Sequence, residues 1–433
     1  MTKFSGTKRR PVRTNLTAPI KTMNRPARTH EGGRGFARDV ESEMFLLAAT
    51  NMVGEDTFYE RASDRDARFV ELVHAVTASN PGLIAGHDPE SGRIGLAQYL
   101  RQNLLMRSAA VVMAAEYVAA GGAGGRSVVA RALQRPDEPA EMIGYWISHH
   151  GRNLPMPIKR GVADAVCRLY NERAALRYDG LSRELRMADV IELTHPRPAD
   201  DRQSALFAYL LDRRHHGDAR AEAEALPVLA AAARLEAIVP EERRSVLRGR
   251  GAAALSEAGF SWERLSSWLP GGMDAEAWEA VIPSMGVMAL VRNLRNFDEA
   301  SIRPDSVDAV IAMVTDQSEV AKARLFPYQV WAAYKRAPSD DWKRALGRTL
   351  DHTVANVPVL DGTLVVIDTS GSMSGTVSRR STMSRVEVAA VMAMATAKRS
   401  TDVDVVIYGD TNARVRGLHG VSVLSGVERV VRS

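Results

Sequence analysis

The chain holds a single cysteine, Cys167, in 433 residues. A lone thiol cannot close an intramolecular disulfide, so a disulfide-stapled secreted fold is excluded and a reducing compartment is expected. Aromatic residues are scarce, at 6%, while alanine, leucine and valine abound. Strands are rich in aromatic and β-branched residues, so the balance favours helices packed through small aliphatic side chains. No stretch approaches the roughly 20 apolar residues that span a bilayer; the richest, Ser108 to Ala120, is too short and contains Glu116. The opening residues lack the apolar core of a secretory signal, so a cytoplasmic location and no membrane partner are expected. A Gly-x-x-x-x-Gly-Lys-Ser/Thr phosphate loop is also missing. His149-His150 and His215-His216 have no cysteine or carboxylate spacing suited to zinc and read as surface pairs. Cys167, in an apolar helical stretch with no evident histidine partner, reads as a buried thiol. No nucleophile–base constellation stands out, so catalysis is not expected.

Hydrophobic residues at 45% and charged residues at 25% describe a globular chain of two to four domains at about 100–200 residues each. The net charge of +5 is unevenly spread. Residues 1–40 hold ten basic side chains against Glu31 and Asp39, leaving 47 basic and 50 acidic residues for the rest. Residues 1–38 therefore read as a basic flexible arm, with Pro11, Pro19 and Pro26 and little apolar periodicity. Either a solubilising tail or a nucleic-acid-binding arm fits that composition.

Residues 39–357 show a succession of amphipathic helical patterns separated by short turns. They include Gly95 to Ala120, Glu138 to His150, Pro157 to Arg177, Ala221 to Val239, Pro240 to Glu257, Ser284 to Asn296 and Pro327 to Lys335. Such pairs suggest an α-solenoid of irregular HEAT-like repeats; an ordinary large helical domain is the alternative. Near residue 358 the pattern changes. Thr363 to Ile367 and Val403 to Tyr408 read as strands buried on both faces, with a helix from Arg385 to Lys398 between them. That order makes a βαβ unit. Ser425 to Glu428 looks like a capping box opening a further helix.

Directly after the first strand stands Asp368-Thr369-Ser370-Gly371-Ser372. A carboxylate and two hydroxyls at alternate positions offer hard oxygen ligands to Mg²⁺ or a similar divalent cation, at the strand end where open α/β sheets bind ligands. The pattern resembles the Asp-x-Ser-x-Ser adhesion motif of von Willebrand factor A domains. That family completes its metal site with a threonine and an aspartate on later loops, which have no counterpart here. Residues 358–433 are thus expected to form only the N-terminal part of such a Rossmann-like domain, with Asp368, Ser370 and Ser372 as an incomplete metal site.

The helical region carries a second resemblance. Glu43 to Ala48 leading to Thr57-Phe58-Tyr59, Arg177-Tyr178 followed by Ala188 to Pro196, Trp278 to Asn296, and Leu325-Phe326-Pro327-Tyr328 to Tyr334 occur in the order seen in the TROVE module of the Ro ribonucleoprotein family, bacterial or phage type. The resemblance implies a mostly α fold: a ring of HEAT-like repeats, monomeric, followed by the partial α/β domain. It implies a scaffold that binds small noncoding Y-like RNAs on its outer surface and takes single-stranded ends of misfolded RNAs through its hole. An exoribonuclease is the implied protein partner, in RNA quality control and decay; DNA is not.

Local chemistry suits that reading, because phosphates require cations. Lys159, Arg160, Arg173, Arg177, Arg183 and Arg197 are the candidate contacts, with Arg177 and His195 carried over from family positions. Tyr178 is a candidate for stacking on an unpaired base. Between residues 159 and 197, however, six acidic residues face eight basic ones, a balance equally typical of a solvated helix face. Arg292 and Arg295, interleaved with Asn293 and Asn296, read either as a buried network between repeats or as the lining of an RNA channel. Met285 and Met288 read as core. A different class also fits: a metal-dependent protein-adhesion scaffold whose helices are spacers.

Overall fold

The computed structural model describes residues 22–28, 32–50, 53–54, 61–88, 92–217, 221–377, 381–409 and 412–432. These are mostly helical, with a small α/β part at the C-terminal end, as the periodicity predicts. They belong to two compact units, Thr14–Ala233 and Arg234–Ser433. The division after Ala233 falls inside the region read as one helical domain.

The segment read as a flexible arm is ordered over its second half. Strands β1 (Thr22–Arg28) and β2 (Arg34–Arg38) pair antiparallel, with Arg28 opposite Arg34 and Pro26 opposite Phe36. The alternation Arg-Gly-Phe-Ala-Arg supplies the two-residue period of a strand. Residues 1–21, with most of the basic side chains, lie outside the described residues, as do Thr57, Phe58 and Tyr59.

Helices α1 (Val40–Thr50), α2 (Ala62–Ser79) and α3 (Pro81–Ala85) precede a minimal hairpin, β3 (His87–Asp88) with β4 (Arg93–Ile94). Then follow α4 (Leu96–Gln102), α5 (Arg107–Ala119), α6 (Gly125–Ala132), α7 (Glu138–His150), α8 (Met156–Leu169), α9 (Glu172–Tyr178), α10 (Met187–Thr194), α11 (Asp201–His215) and α12 (Pro227–Glu236). Helix α5 is buried almost all round, because α2, α4, α6 and α7 pack on it; its alanines allow the close approach. Helices α6 and α8 meet at Gly161, where a Cβ would sit 2.7 Å from the Arg126 carbonyl oxygen.

Three long helices expected from the sequence are broken. Gly95 to Ala120 divides into α4 and α5 around Leu105, which adopts φ +59°. Pro157 to Arg177 divides at Tyr170-Asn171, because the Asn171 side chain accepts the Ala174 N–H at 2.9 Å and starts α9 afresh. Pro240 to Glu257 divides into a 3₁₀ segment, Pro240–Leu247, and a short helix after Gly249 at φ +64°. Local capping and left-handed residues override the apolar period in each case.

The second unit contains α13 (Gly251–Glu257), α14 (Trp262–Trp268), α15 (Ala275–Val281), α16 (Val287–Glu299), α17 (Pro304–Thr315), α18 (Gln317–Lys322), α19 (Pro327–Lys335) and α20 (Asp340–Thr353). After them come β5 (Thr363–Asp368), α21 (Arg385–Arg399), β6 (Val403–Tyr408), β7 (Asn412–Val415) and α22 (Val423–Arg432). Helices α19 and α20 pack on α21 and α22, so no loose linker separates helical and α/β parts at residue 357. Strands β5 and β6 are parallel, Thr363 opposite Val403 through Asp368 opposite Tyr408, confirming the βαβ unit. A third strand, β7, which the sequence reading missed, pairs antiparallel with β6.

The strands are not buried on both faces as expected. Helix α21 covers one face of the sheet, while Leu364 and Val366 on the other are 60% and 52% exposed. The last helix begins at Val423, not after Ser425: the Ser422 hydroxyl accepts the Ser425 N–H at 3.1 Å.

Buried charge fixes several joints. Glu138, fully buried at the start of α7, accepts Nε and Nη2 of Arg101 on α4 at 2.9 and 2.7 Å. It also accepts the backbone N–H groups of Gln134 and Arg135 at 2.6 and 3.0 Å. Removing one partner of a buried pair strands the other. Glu138→Ala is therefore expected to destabilise the protein by about 3–5 kcal/mol, read as a fall in the denaturant midpoint of the N-terminal unit; a change within 0.5 kcal/mol would contradict this role.

Candidate nucleic-acid interface

Eight of the residues expected to contact RNA fall on consecutive elements of the first unit. Lys159 and Arg160 lie in the first turn of α8, Arg173, Arg177 and Tyr178 on α9, Arg183 in the loop before α10, and His195 and Arg197 directly after α10. The elements are tied together by hydrogen bonds. Asp179, which caps α9, accepts from the Arg186 guanidinium at 2.5 Å and from the Met187 N–H at 2.9 Å, pinning the loop that carries Arg183. The Cys167 thiol near the end of α8 donates to the Arg197 carbonyl at 2.9 Å. The thiol is half-buried, and burial pushes its pKa up.

The mixed charge of residues 159–197 resolves once partners are assigned. Asp164 pairs with Arg126, Glu172 with Arg202, Asp179 with Arg186 and Asp189 with Arg214, while Glu192 bonds His215. Four of those five partners come from outside the segment. Among the described residues Lys159, Arg160, Arg177, Arg183 and Arg197 have no ion-pair partner. Glu184 is the one acidic residue of the segment without an ion-pair partner among the described residues, so these five cations stand against a single unpaired carboxylate.

Tyr178 has cationic neighbours. Its ring is half-buried, with the guanidinium carbons of Arg177 and Arg135 at 5.6 and 5.7 Å from the centroid. These cation–π contacts bring Arg177 and Arg135 to the ring that the sequence offers to a base. Arg135 went unnoticed in the sequence because its partner lies 43 positions away. Beside Tyr178 and Arg183 is a cavity of about 250 Å³, also lined by Tyr170, whose hydroxyl is buried without a partner.

His195 terminates α10 in the left-handed region, at φ +49°. Its N–H closes the helix on the Ile191 carbonyl at 2.8 Å. The following Pro196 disfavours a helical His195, and glycine is the usual residue at such a helix end. The imidazole is exposed at a position where the backbone favours no side chain at all.

Arg292 and Arg295 lie on α16 in the second unit. Asn293, not the arginines, is buried: its amide donates to the Ala289 carbonyl at 2.8 Å and accepts from Asn296 at 2.7 Å. Both arginines are exposed and line a cavity of about 490 Å³ between α16, α19 and Met383. Arg336, Tyr328 and Gln329 join the wall. Arg295 pairs with Glu299 at 3.0 Å; Arg292 has no ion-pair partner among the described residues. Met285 is core as expected, whereas Met288 lines the cavity.

The Asp368 loop lies in the same unit. The Asp368 carboxylate accepts the Ser370 N–H at 2.8 Å, which holds its pKa below the usual carboxylate range. The Ser370 and Ser372 hydroxyl oxygens are 3.2 Å apart, close to the roughly 3.0 Å between neighbouring ligands of a cation with 2.1 Å metal–oxygen bonds. Arg385 donates to the Ser372 carbonyl at 2.9 Å. Among the described residues no group of three or more His, Cys, Asp or Glu side chains converges. A cation here would have one carboxylate, two hydroxyls and waters, a set that fits Mg²⁺ better than zinc.

One polar cluster escaped the sequence reading. Glu116, buried on α5, bonds His74 and His150 at 2.8 Å each and accepts from the Tyr145 hydroxyl at 2.7 Å. Burial pushes the Glu116 carboxyl up, but these hydrogen bonds outweigh it and leave it below its ordinary value. His150 is thus one of the four groups of a structural joint.

Residues 255–399 match the family described as TROVE domain. Over this segment, about a third of the chain, the sequence is similar to the TROVE family. The segment runs from α13 through α21 and contains Arg292, Arg295 and the Asp368 loop; Lys159 to Arg197 lie before it. The fold is similar to the crystal structure of the Ro (RSR) protein of Deinococcus radiodurans, at a TM-score of 0.59 and 17% identity over 90% of this chain and 80% of that one. A search of curated proteins found no match. The TROVE segment and the Ro-like fold agree with the resemblance read from the sequence. No helix among the described residues is long and apolar enough to cross a membrane.

His195 yields a direct test. A non-glycine residue in the left-handed region is strained by about 1–2 kcal/mol. His195→Gly is expected to raise the thermal midpoint of the N-terminal unit, and His195→Val to lower it; equal midpoints would show that the backbone there is unstrained.

Proposed function

We propose that this chain is an RNA-binding scaffold of the Ro type, without catalytic activity of its own. The observation that carries the reading is the surplus of cations without an ion-pair partner among the described residues on α8, α9 and the loops around α10, which arises because five of the six intervening carboxylates are paired elsewhere. That surface suits a rigid phosphate backbone, and we assign it the stem of a small noncoding, Y-like RNA. Arg177 is held by Tyr178, and His195 is presented by the end of α10. The cavity beside Arg292 and Arg295 is assigned the single-stranded ends of misfolded or decaying RNAs, for which arginines and an adjacent aromatic wall are suitable partners. An exoribonuclease that trims such ends is the proposed protein partner, and the Ro-like fold supports this family of roles.

Asp368, Ser370 and Ser372 are assigned a Mg²⁺ ion in a von Willebrand A-like loop. The cation would supply a charged coordination point, with the carboxylate as its one anionic protein ligand. The preorganised hydroxyl pair also favours a second reading, a metal-dependent adhesion scaffold, in which a protein partner is held in Mg²⁺ and released by EDTA.

Two measurements test these assignments. In gel-shift titrations with a structured small RNA bearing a free 3′ tail, Arg177→Ala with His195→Ser is expected to weaken binding at least tenfold, the scale of one or two charge-assisted contacts. Micromolar binding that the double substitution leaves unchanged would refute the RNA reading. In calorimetry with Mn²⁺ as the probe, the protein is expected to give a saturable heat that Asp368→Ala abolishes; identical traces would remove the metal assignment.

A further inference from the structure

The β1–β2 hairpin has two unlike faces. Residues directly opposite in an antiparallel pair point the same way, and successive residues alternate. One face therefore carries Pro26, Arg28, Arg34, Phe36 and Arg38, and the other Ala27, Gly35 and Ala37. The small-residue face is half-buried, whereas Pro26, Arg28, Arg34, Phe36 and Arg38 are exposed. Phe36 is 62% exposed, more than any other aromatic among the exposed large hydrophobic side chains of the described residues. Arg28 donates to the Gly32 carbonyl at 3.3 Å, within the hairpin itself. Arg34 and Arg38 have no ion-pair partner among the described residues.

We propose that this face is a binding ribbon for single-stranded RNA. An exposed phenylalanine is costly in water unless something covers it, and the arginines around it select an anionic cover. Along a strand, residues two apart are separated by about 6.8 Å, so Arg34 and Arg38 stand about one nucleotide's reach to either side of Phe36. The ring stacks on an unpaired base and the guanidiniums take the flanking phosphates, a division of labour that tolerates any sequence. A base within a duplex is already stacked, so the ribbon discriminates against double strands. The small residues of the opposite face let the hairpin lie close to what supports it.

The choice of RNA as the polymer rests on the function proposed above, while the place and the stacking contact do not. The test uses the full chain and a fluorescent twelve-nucleotide oligouridylate, with a blunt RNA duplex as the second probe. Phe36→Ala is expected to weaken oligouridylate binding about tenfold, the order of one lost base stack, with Phe36→Trp restoring it. Arg34→Gln with Arg38→Gln is expected to reduce the slope of log affinity against log salt by about 1.4, two phosphate contacts on a single strand. Duplex binding is expected to be unchanged by Phe36→Ala. Unaltered oligouridylate affinity and slope in these variants overturn the proposal, as does an equal loss for duplex and single strand. Binding to anionic phospholipid vesicles that depends on Phe36, with no effect on the oligonucleotide, also overturns it. Failure here leaves the structured-RNA titration with Arg177 and His195 variants unaffected, so the two readings fall separately.

Discussion

Every carboxylate buried among the N-terminal helices must find N–H donors or cations, and that requirement sets much of the architecture. Helices packed through alanine and valine slide easily past one another, because small side chains interlock weakly. The buried acids supply the missing register. Glu138 joins α4 to α7 through Arg101, Glu116 joins α2, α5 and α7, and Glu172 joins α9 to Arg202 and to the Leu229 N–H. Asp179 joins the end of α9 to the start of α10. The same pairing determines the surface. Where an arginine or histidine from outside a segment answers one of its acids, a cation within the segment is left unanswered, and in the segment around α9 Arg160, Arg177, Arg183 and Arg197 are exposed to solvent.

The α9 surface and the α16 cavity are built differently, and the difference matches the ligands proposed for them. On α9 the basic side chains stand on short, tightly capped elements, with Arg177 stacked against Tyr178. Such fixed charges suit a rigid double-stranded backbone. In the α16 cavity the arginines share their wall with methionines, alanines and Tyr328, a flexible and partly apolar lining that suits unpaired nucleotides. His195 belongs to the first type, its backbone fixed in the left-handed region at the end of α10.

The helical character, the βαβ unit and the Asp368 loop were legible in the sequence because each depends on local pattern. The three helix breaks were not, since the apolar period runs straight through Tyr170-Asn171 and past Leu105. The asparagine N-cap at 171 was a usable signal, outweighed by the hydrophobic rhythm on either side. Strand β7 is too short and polar to announce itself, and the bare face of β5 cannot be told from a buried one when both strand faces are apolar. The hairpin at residues 22–38 was hidden by its arginines and glycines, which look like disorder in composition but alternate like a strand. The positive surface around α9 was out of reach in principle: neutralising partners as distant in sequence as Arg126 and Arg214 decide it. The joint at Glu116 is hidden for the same reason, its two histidines lying 42 and 34 positions away.

The segment between β5 and α21 links two places that seem separate along the chain. Ser372 is held by Arg385, and Arg385 donates its own N–H to the Gly375 carbonyl at 3.0 Å. A short bridge pairs Thr376 with Ser384, and the Val377 N–H reaches the Met383 carbonyl at 3.0 Å. Met383 is a wall of the arginine cavity, and Lys335 clamps the neighbouring Thr382 carbonyl and Glu387 to α19. Loop, bridge and cavity wall are therefore joined by one run of hydrogen bonds, from the Ser372 carbonyl through Arg385 and Gly375 to the Val377–Met383 pair, so the residues beside Asp368 and the wall formed by Met383 share a single support.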